Sequence, residues 1–492
     1  MGCGSSSSSP FPINGSYSNS SLKGQYAFML SGNGFGFNGS SSQGYYREGG
    51  VFTADGNGNI TSGTDDFNSA SVFGAFSSTS ITGNYTIGKD GNGVIQINFP
   101  NNSGSETWAI TLVSSSKFYL TEGDAFSNFA ANAAGEGDLQ TASALSSTPS
   151  GNFAFRVHQT LTTSPDNAIA GQFTAQSAIG EVDVIQNAAL AGPYPVTTSF
   201  GTPSAGRGTM SITVFGTSTT TSNFVYYIVN SSTLFLFETD STVLGLGRAE
   251  QQSGSSFSAG SLSGNFTFGS TGDTAANVGG VNSAGRLSIS GTTISNGVYD
   301  SVADGSPTLN QGFTGTINSV DATGRVSVSL TPSGPGNPIN EVWYLVSPTR
   351  GFSLVFYPNN TGTTEDGTID QQVSGPFSNG SLKGQYAFYM QGSTNLGSNL
   401  LTRNGTFIPD GNGNLNINET TNLYGGSSVG AVVTSPIYLT GNTYSVSSNA
   451  RATANVGNLS SNLVLYMISP NKAYILQGDS GVQEWGTVEL QQ

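Results

Sequence analysis

Two acidic positions recur four times along this chain, and they are the residues best placed to do chemistry. The first closes a G-x-x-[DE] string: Asp66 in GTDD, Asp183 in GEVD, Asp300 in GVYD and, with Asn in place of Gly, Glu419 in NINE. The second stands near the end of each unit, as Asp138, Glu250, Asp370 and Glu489. Only 9% of residues are charged, against ~25% in an average soluble protein, so acids kept in register four times are not a by-product of composition. Two carboxylates facing one cavity can bind a cation or a polar ligand, or act as general acid and base as in glycoside hydrolysis. Acids can equally satisfy backbone N–H groups at strand ends or at the closure of a barrel, and a repeated fold then needs the same acid in every copy. Repetition favours this structural account, with ligand binding next and catalysis last.

Other chemistry is sparse. The strings DGNGN at Asp55 and Asp410 and DGNGV at Asp90 are similar to the start of a calcium loop, but neither DGNGNITSGTDD nor DGNGNLNINETT ends on the bidentate Glu such a loop requires. These three aspartates are weak calcium candidates, read first as hairpin turns, and no metal site is assigned. His158 is the only histidine, sits beside Arg156 and has no counterpart in the other units. A triad or zinc site would have to be built around it alone, so it reads as a strand histidine. Trp108 and Trp343 each follow a glutamate by two residues, Glu106 and Glu341, and read as matching core aromatics rather than sugar platforms. No P-loop or dinucleotide-binding glycine spacing opens a helix. The expectation is a protein without cofactor and without enzymatic activity.

Composition narrows the partners. The 492 residues carry 14 Lys and Arg against 29 Asp and Glu, a net charge of −15. That sign repels phosphate backbones and excludes nucleic acid. Aromatics at 10% in regular positions distinguish the chain from a disordered polar tract. The single cysteine, Cys3, lies in MGCGSSSSSPFP, where it can form no internal disulfide. MGCGSS fits an N-myristoylation pattern with Cys3 open to palmitate. It also fits the end of a bacterial lipobox, with Cys3 as the lipid attachment residue and the serines as a stalk; this reading is preferred. No run of ~18 apolar residues is present to form a spanning helix.

The elements that position these residues come in four copies. LKGQYAF (Gly24) returns as PSGNFAF (Gly151), LSGNFTF (Gly264) and LKGQYAF (Gly384), and each copy ends on a late strand pair and a short segment, GEGDLQ, GRAEQQ, GTIDQQ or GTVELQQ. A period of about 120 residues is far longer than a solenoid repeat, so these are tandem domains. Expected boundaries are 1–16 for anchor and stalk, then 17–142, 143–254, 255–374 and 375–492. In GQYAFML, Tyr26, Phe28 and Leu30 alternate with Gln25, Ala27 and Met29, the period of a strand buried on one face. Strand centres in the first unit fall near Tyr26, Val51, Ile60, Tyr85, Ile95, Ile110, Tyr119 and Leu139. No helical period competes. Eight short antiparallel strands per unit predict an all-β chain of up-and-down barrels, with a β-sandwich as the alternative.

With its lipobox-like GC, serine stalk, SLKGQYAF, FTADGNGNITSG and closing G-x-x-[DE]-x-Q, the chain resembles repeat-bearing secreted bacterial lipoproteins of the acidobacterial type, a family without an established activity. The resemblance spans all four units and is tightest in the first and last; the second and third depart from it at the ADGNGN turn, with AQSAIG and NSAGR. It implies a secreted protein held at the extracellular face of the bacterial outer membrane by an N-terminal lipid.

Two functions fit. One is a structural, adhesive or self-assembling surface protein that associates with itself or with surface polysaccharide. The other is binding of a small molecule, cation or carbohydrate inside lipocalin-like or avidin-like barrels. Phe28, Phe155, Phe268 and Phe388 discriminate them, because barrels filled by such residues leave no room for a ligand. Short linkers at 143–150, 252–261 and 372–381 predict touching domains arranged as a semi-rigid, elongated rod.

Overall fold

The computed structural model describes residues 15–35, 43–69, 76–100, 104–123, 130–161, 166–175, 179–186, 189–254, 256–274, 280–334, 336–357, 363–394, 399–425, 432–457 and 461–492. Cys3 and the serine stalk lie outside them. Among the described residues, 32 strands close into four antiparallel barrels. The first barrel consists of β1 (Lys23–Phe35), β2 (Gln43–Asp55), β3 (Asn59–Asn68), β4 (Ser77–Ile87), β5 (Asn92–Asn98), β6 (Ser105–Ser114), β7 (Lys117–Glu122) and β8 (Ala130–Leu139). β8 pairs back onto β1, so no edge is left open. The other barrels run from β9 (Asn152–Leu161) to β16 (Val243–Gln251), β17 (Gly264–Thr274) to β24 (Thr363–Gln371) and β25 (Tyr386–Thr394) to β32 (Val482–Leu490). The barrel prevails over the sandwich, and all eight expected strand centres of the first unit fall in strands.

Each interior is filled. Phe28 packs on Trp108 with ring centroids 4.8 Å apart, Phe155 on Phe173 at 5.5 Å and Phe268 on Phe313 at 6.1 Å. Phe388 is buried among Phe407, Ile417 and Leu465. The motif glycine explains why LKGQYAF recurs. Gly24 enters β1 at φ +123°, and a Cβ there would come within 2.7 Å of Leu139; Gly384 repeats this at φ +125° and 2.9 Å from Leu490. Only glycine tolerates both the backbone and the space.

The barrels do not form a rod. The outer face of the first strand pair in one barrel docks on the sixth and seventh strands of the next. Ala27 and Val51 meet Val225, Tyr227 and Phe235; Ala154 and Ala170 meet Val342 and Tyr344; Ala284 meets Val464 and Tyr466. The fourth barrel then meets the first by the same faces, with Ala387 and Tyr389 against Val113 and Tyr119. A head-to-tail contact that returns to its origin makes a ring. Linker length predicted contact between neighbours correctly, but nothing in a linker says where the last outer face goes.

Ring closure brings one position from each barrel toward the centre. Met29, Arg156, Gly269 and Tyr389 each follow the core phenylalanine of the first strand and point outward. Arg156 and Tyr389, from barrels diagonally opposed, are within electrostatic reach of each other. At Gly269 a Cβ would lie 2.8 Å from the Tyr474 ring of the next barrel.

Candidate functional site: the seams and the axial ion network

Three of the four seams carry the same clamp. Asp66, fully buried, accepts two hydrogen bonds from the Arg207 guanidinium at 2.7 Å each and one from the Tyr227 hydroxyl at 2.6 Å. Asp183 accepts from Arg325 at 2.6 and 2.9 Å and from Tyr344 at 2.6 Å. Asp300 accepts from Arg451 at 2.7 Å twice and from Tyr466 at 2.5 Å. In each case the carboxylate leaves the third strand of one barrel and the arginine and tyrosine come from paired positions on the fifth and sixth strands of the next. Planar, bidentate geometry is what makes arginine the partner here. Burial, reinforced by the adjacent aspartate, raises the Tyr227 and Tyr344 hydroxyls well above the ordinary tyrosine value, so they remain donors.

The fourth seam departs from this. Strand register puts Thr420, not Glu419, at the clamp position, because Glu419 pairs with Gly405 as Asp65 pairs with Gly50. Asn92 and Thr111 stand where the arginine and tyrosine would be, paired with each other as Arg207 is with Tyr227. Amides do the joining instead: Asn404 donates to the Ala109 carbonyl at 2.9 Å, Asn418 to Asp90 at 2.9 Å and Asn422 to the Glu122 carbonyl at 2.7 Å. Glu419 therefore leaves the recurring set, since a one-residue shift reverses the face of a strand.

One contact is identical at all four seams and carries the ring. The glutamine two residues after each closing acid donates to a backbone carbonyl on the sixth strand of the next barrel: Gln140 to Ile228 at 2.6 Å, Gln252 to Leu345 at 2.7 Å, Gln372 to Met467 at 2.7 Å and Gln491 to Leu112 at 2.6 Å. The following backbone N–H repeats the pattern, from Thr141 to Val229, Ser253 to Val346, Val373 to Ile468 and Gln492 to Val113, at 2.8 to 2.9 Å. Gln25 and Gln385 of the duplicated heptapeptide likewise reach the backbone of the next barrel, at Ala205 and Asp90. Tyr17, just before the first barrel, donates to the carbonyls of Val113 and Gln492 at the fourth seam.

The second set of acids builds a closed ion network between the barrels. Lys117 pairs with Glu136 at 3.1 Å and with Glu489 at 3.0 Å; Arg248 bridges Glu136 at 3.1 Å to Glu250 at 2.9 Å and reaches Asp138 at 3.5 Å. Arg350 joins Glu250 at 2.7 Å to Asp370 at 2.5 Å, and Lys472 pairs with Glu489 at 3.2 Å. The Tyr474 hydroxyl donates to Asp370 at 2.5 Å and completes the circuit. Burial pushes Glu250 up, but Arg350 and Arg248 outweigh it and hold the carboxyl at about 2. Asp66 with Asp138, and their repeats, therefore do not line a cavity. They face outward on the same wall of each barrel, and their partners are mostly cations and tyrosines at the seams; Asp300 also accepts from the backbone N–H of Asn310 at 2.8 Å.

His158 belongs to the second seam. Its Nδ1 is 2.6 Å from Asp366 and its Nε2 2.9 Å from Asp166, while Arg156 also pairs with Asp366. Burial disfavours the imidazolium, yet the two carboxylates raise its pKa to about 10. A histidine held protonated between two acids has no lone pair for catalysis or zinc. The calcium candidates are turn residues. Asp55 accepts from the Asn57 and Asn59 backbone and from the Asn59 amide, and Asp410 repeats this with Asn412 and Asn414. Asp90 is taken up by Asn92 and Asn418. Among the described residues no cluster of acids, His or Cys has metal-binding geometry.

Inside the barrels lie acids that belong to neither recurring motif. Glu48 and Asp65 approach Glu106 in the first barrel, and burial followed by mutual repulsion raises both well above ordinary values. Burial raises Glu238, Glu341 and Glu484 to about 7 in the second, third and fourth barrels. Gln159 donates to Glu238, Trp343 to Glu341 and Arg403 to Glu484. The readable signal was alternation: Glu48 is in step with Gly50 and Phe52, and Asp65 points inward because its neighbour Asp66 points outward. The same alternation corrects the tryptophans. Both donate to the glutamate two residues back, Trp108 at 2.6 Å and Trp343 at 2.5 Å, but Trp108 pairs with Ile95 and Trp343 with Val326, which places them two residues out of register. In the third barrel the glutamates border a cavity of about 20 Å³ walled by Phe268, Phe313 and Tyr357, room for one water.

Fold and seams together define a single-chain ring of four eight-stranded barrels. No protein-family model and no curated protein matches the chain. Among solved structures it is similar to isotype 1 transferrin binding protein B from serogroup B Neisseria meningitidis, at 10% identity over 72% of this chain and 77% of that one, with a TM-score of 0.21. Transferrin binding protein B from Haemophilus parasuis Hp5 gives 10% identity over 76% and 83%, with a TM-score of 0.19. Superpositions this loose carry no argument about function.

Proposed function

We infer that the protein is an extracellular surface lipoprotein, held through Cys3, whose four-barrel ring serves a structural, adhesive or self-associating role without catalysis. The observation that carries this reading is where the repeated acids go. All but Glu419 of the eight are spent on joining one barrel to the next, Asp370 through the Tyr474 hydroxyl, and the barrel interiors are occupied by aromatic and aliphatic side chains. A polar surface of low charge density, with only 9% of residues charged and many of them used at the seams, opposes close packing of many copies only weakly. Binding inside the barrels is the second reading; the interior glutamates favour it, and the one-water cavity weighs against it.

Native mass spectrometry of protein purified without added ligand separates the two. The expected result is the bare chain mass, alone or in multiples. Up to four equal mass increments per chain would overturn the structural reading and make the interior glutamates the site to substitute.

A further inference from the structure

The four seams are not equivalent. The first three join barrels that the chain already ties together through short linkers, so a seam that opens there recloses at high effective concentration. The fourth joins residues as far as 475 apart in sequence, with no covalent connection across it except the rest of the ring. It also lacks the buried aspartate, arginine and tyrosine clamp, which Thr420, Asn92 and Thr111 replace. Its apolar cluster of Val113, Tyr119, Ala387 and Tyr389 is smaller than those of the other seams. What remains is the partly exposed Lys117–Glu489 ion pair at 3.0 Å and a set of amide and hydroxyl contacts, Asn404, Asn418, Asn422, Gln385 and Gln491 among them, whose polar groups water can satisfy when the faces part. An interface that must be exposed before the ring closes is built this way, whereas exposing an apolar seam or a desolvated ion clamp is costly.

We propose that the ring opens at its fourth seam and that the two faces so exposed dock the matching faces of a second copy of this chain. The fourth barrel of one copy then sits on the first barrel of the other, with the contacts that the closed ring makes within itself. Because the docked contacts are the same, exchange costs little beyond the loss of ring closure, the usual basis of domain swapping. The inference gives the self-associating arm of the proposed function a mechanism, but it does not depend on the lipid anchor.

Thr121 and Thr402 provide the test. Their hydroxyls touch across the fourth seam, and both side chains are buried. In a Cys3→Ser background, Thr121→Cys and Thr402→Cys are made separately, mixed at high concentration in a thiol redox buffer and resolved without reductant. The expected product is a mixed disulfide dimer, in large excess over the two same-variant dimers, since only an exchanged pair brings the two thiols together. Mixed dimer at no more than its statistical share would overturn the proposal. The chain carrying both substitutions controls for folding and is expected to cross-link within itself as a monomer. If that internal bond does not form, the seam itself is contradicted and the proposal falls with it. The readout uses purified chain in solution, so its failure leaves the anchored-surface reading to the native mass measurement.

Discussion

Asp183→Ala is expected to cost about 3–5 kcal/mol of stability, because it leaves the Arg325 guanidinium in the second seam without its carboxylate. Arg325 is only 13% exposed and Asp183 is fully buried, so water cannot take the place of the lost oxygens. Tyr344, buried as well, loses the acceptor of its hydroxyl. Replacing all three together, as in D183L/R325M/Y344F, is expected to be close to neutral, since no charge is then stranded. The fourth seam follows that rule in the natural sequence: aspartate, arginine and tyrosine are all absent there, and none of the three is kept alone. Calorimetry of the single and triple variants checks this, and a single variant within about 0.5 kcal/mol of the parent would mean that the clamp is solvated.

The second large effect is on pH dependence. Glu238, Glu341 and Glu484 have folded pKa values near 7 against an ordinary 4.5, chiefly from burial. A raised folded pKa stabilises below the unfolded value, and that contribution is lost as pH rises through the folded value. Glu250, held at about 2 by Arg350 and Arg248, works in the opposite sense: its contribution is present above 4.5 and lost as pH falls toward 2. Both contributions are present near pH 4.5. The melting temperature is therefore expected to peak at about pH 4 to 5 and to fall between pH 5 and 8, with each interior glutamate contributing on the order of 3 kcal/mol. Glu341→Gln should relieve part of the loss at pH 8 and change little at pH 4.5. A melting temperature that rises from pH 5 to 8 would contradict the assignment of these acids to dry barrel interiors.

Much of this architecture is legible in the sequence. Strand centres and the eightfold count follow from alternation and from the DG and NG turns, both local properties of the chain, whereas closure into a barrel rather than a sandwich rests on the long-range pairing of the last strand with the first. The recurring acids were also visible, but their direction was not. Asp65 and Asp66 are adjacent, and one strand residue of slip exchanges an interior acid for a seam acid, so motif spacing set Glu419 beside Asp66 when strand pairing sets it beside Asp65. The partners were harder still, because Arg207, Arg325 and Arg451 lie in the following unit, 141, 142 and 151 residues beyond their aspartates, and a spacing longer than the repeat does not show on its own that the two side chains meet. Ring closure did leave one trace. Gln491 keeps the docking glutamine in the last unit, where a rod would offer it no barrel to dock on, and Gln385 repeats the docking residue of Gln25. Such a residue is informative only once its role in the earlier copies is known.

The ring exists only because the fourth barrel returns to the first. Small-angle X-ray scattering on the monomeric chain tests it most directly. A closed ring predicts a radius of gyration near the compact-chain value of about 23 Å for a chain of this length, with a maximum dimension of about two barrels plus the N-terminal segment. A radius well above that value, with a maximum dimension close to four barrels laid end to end, would contradict the ring and restore the rod.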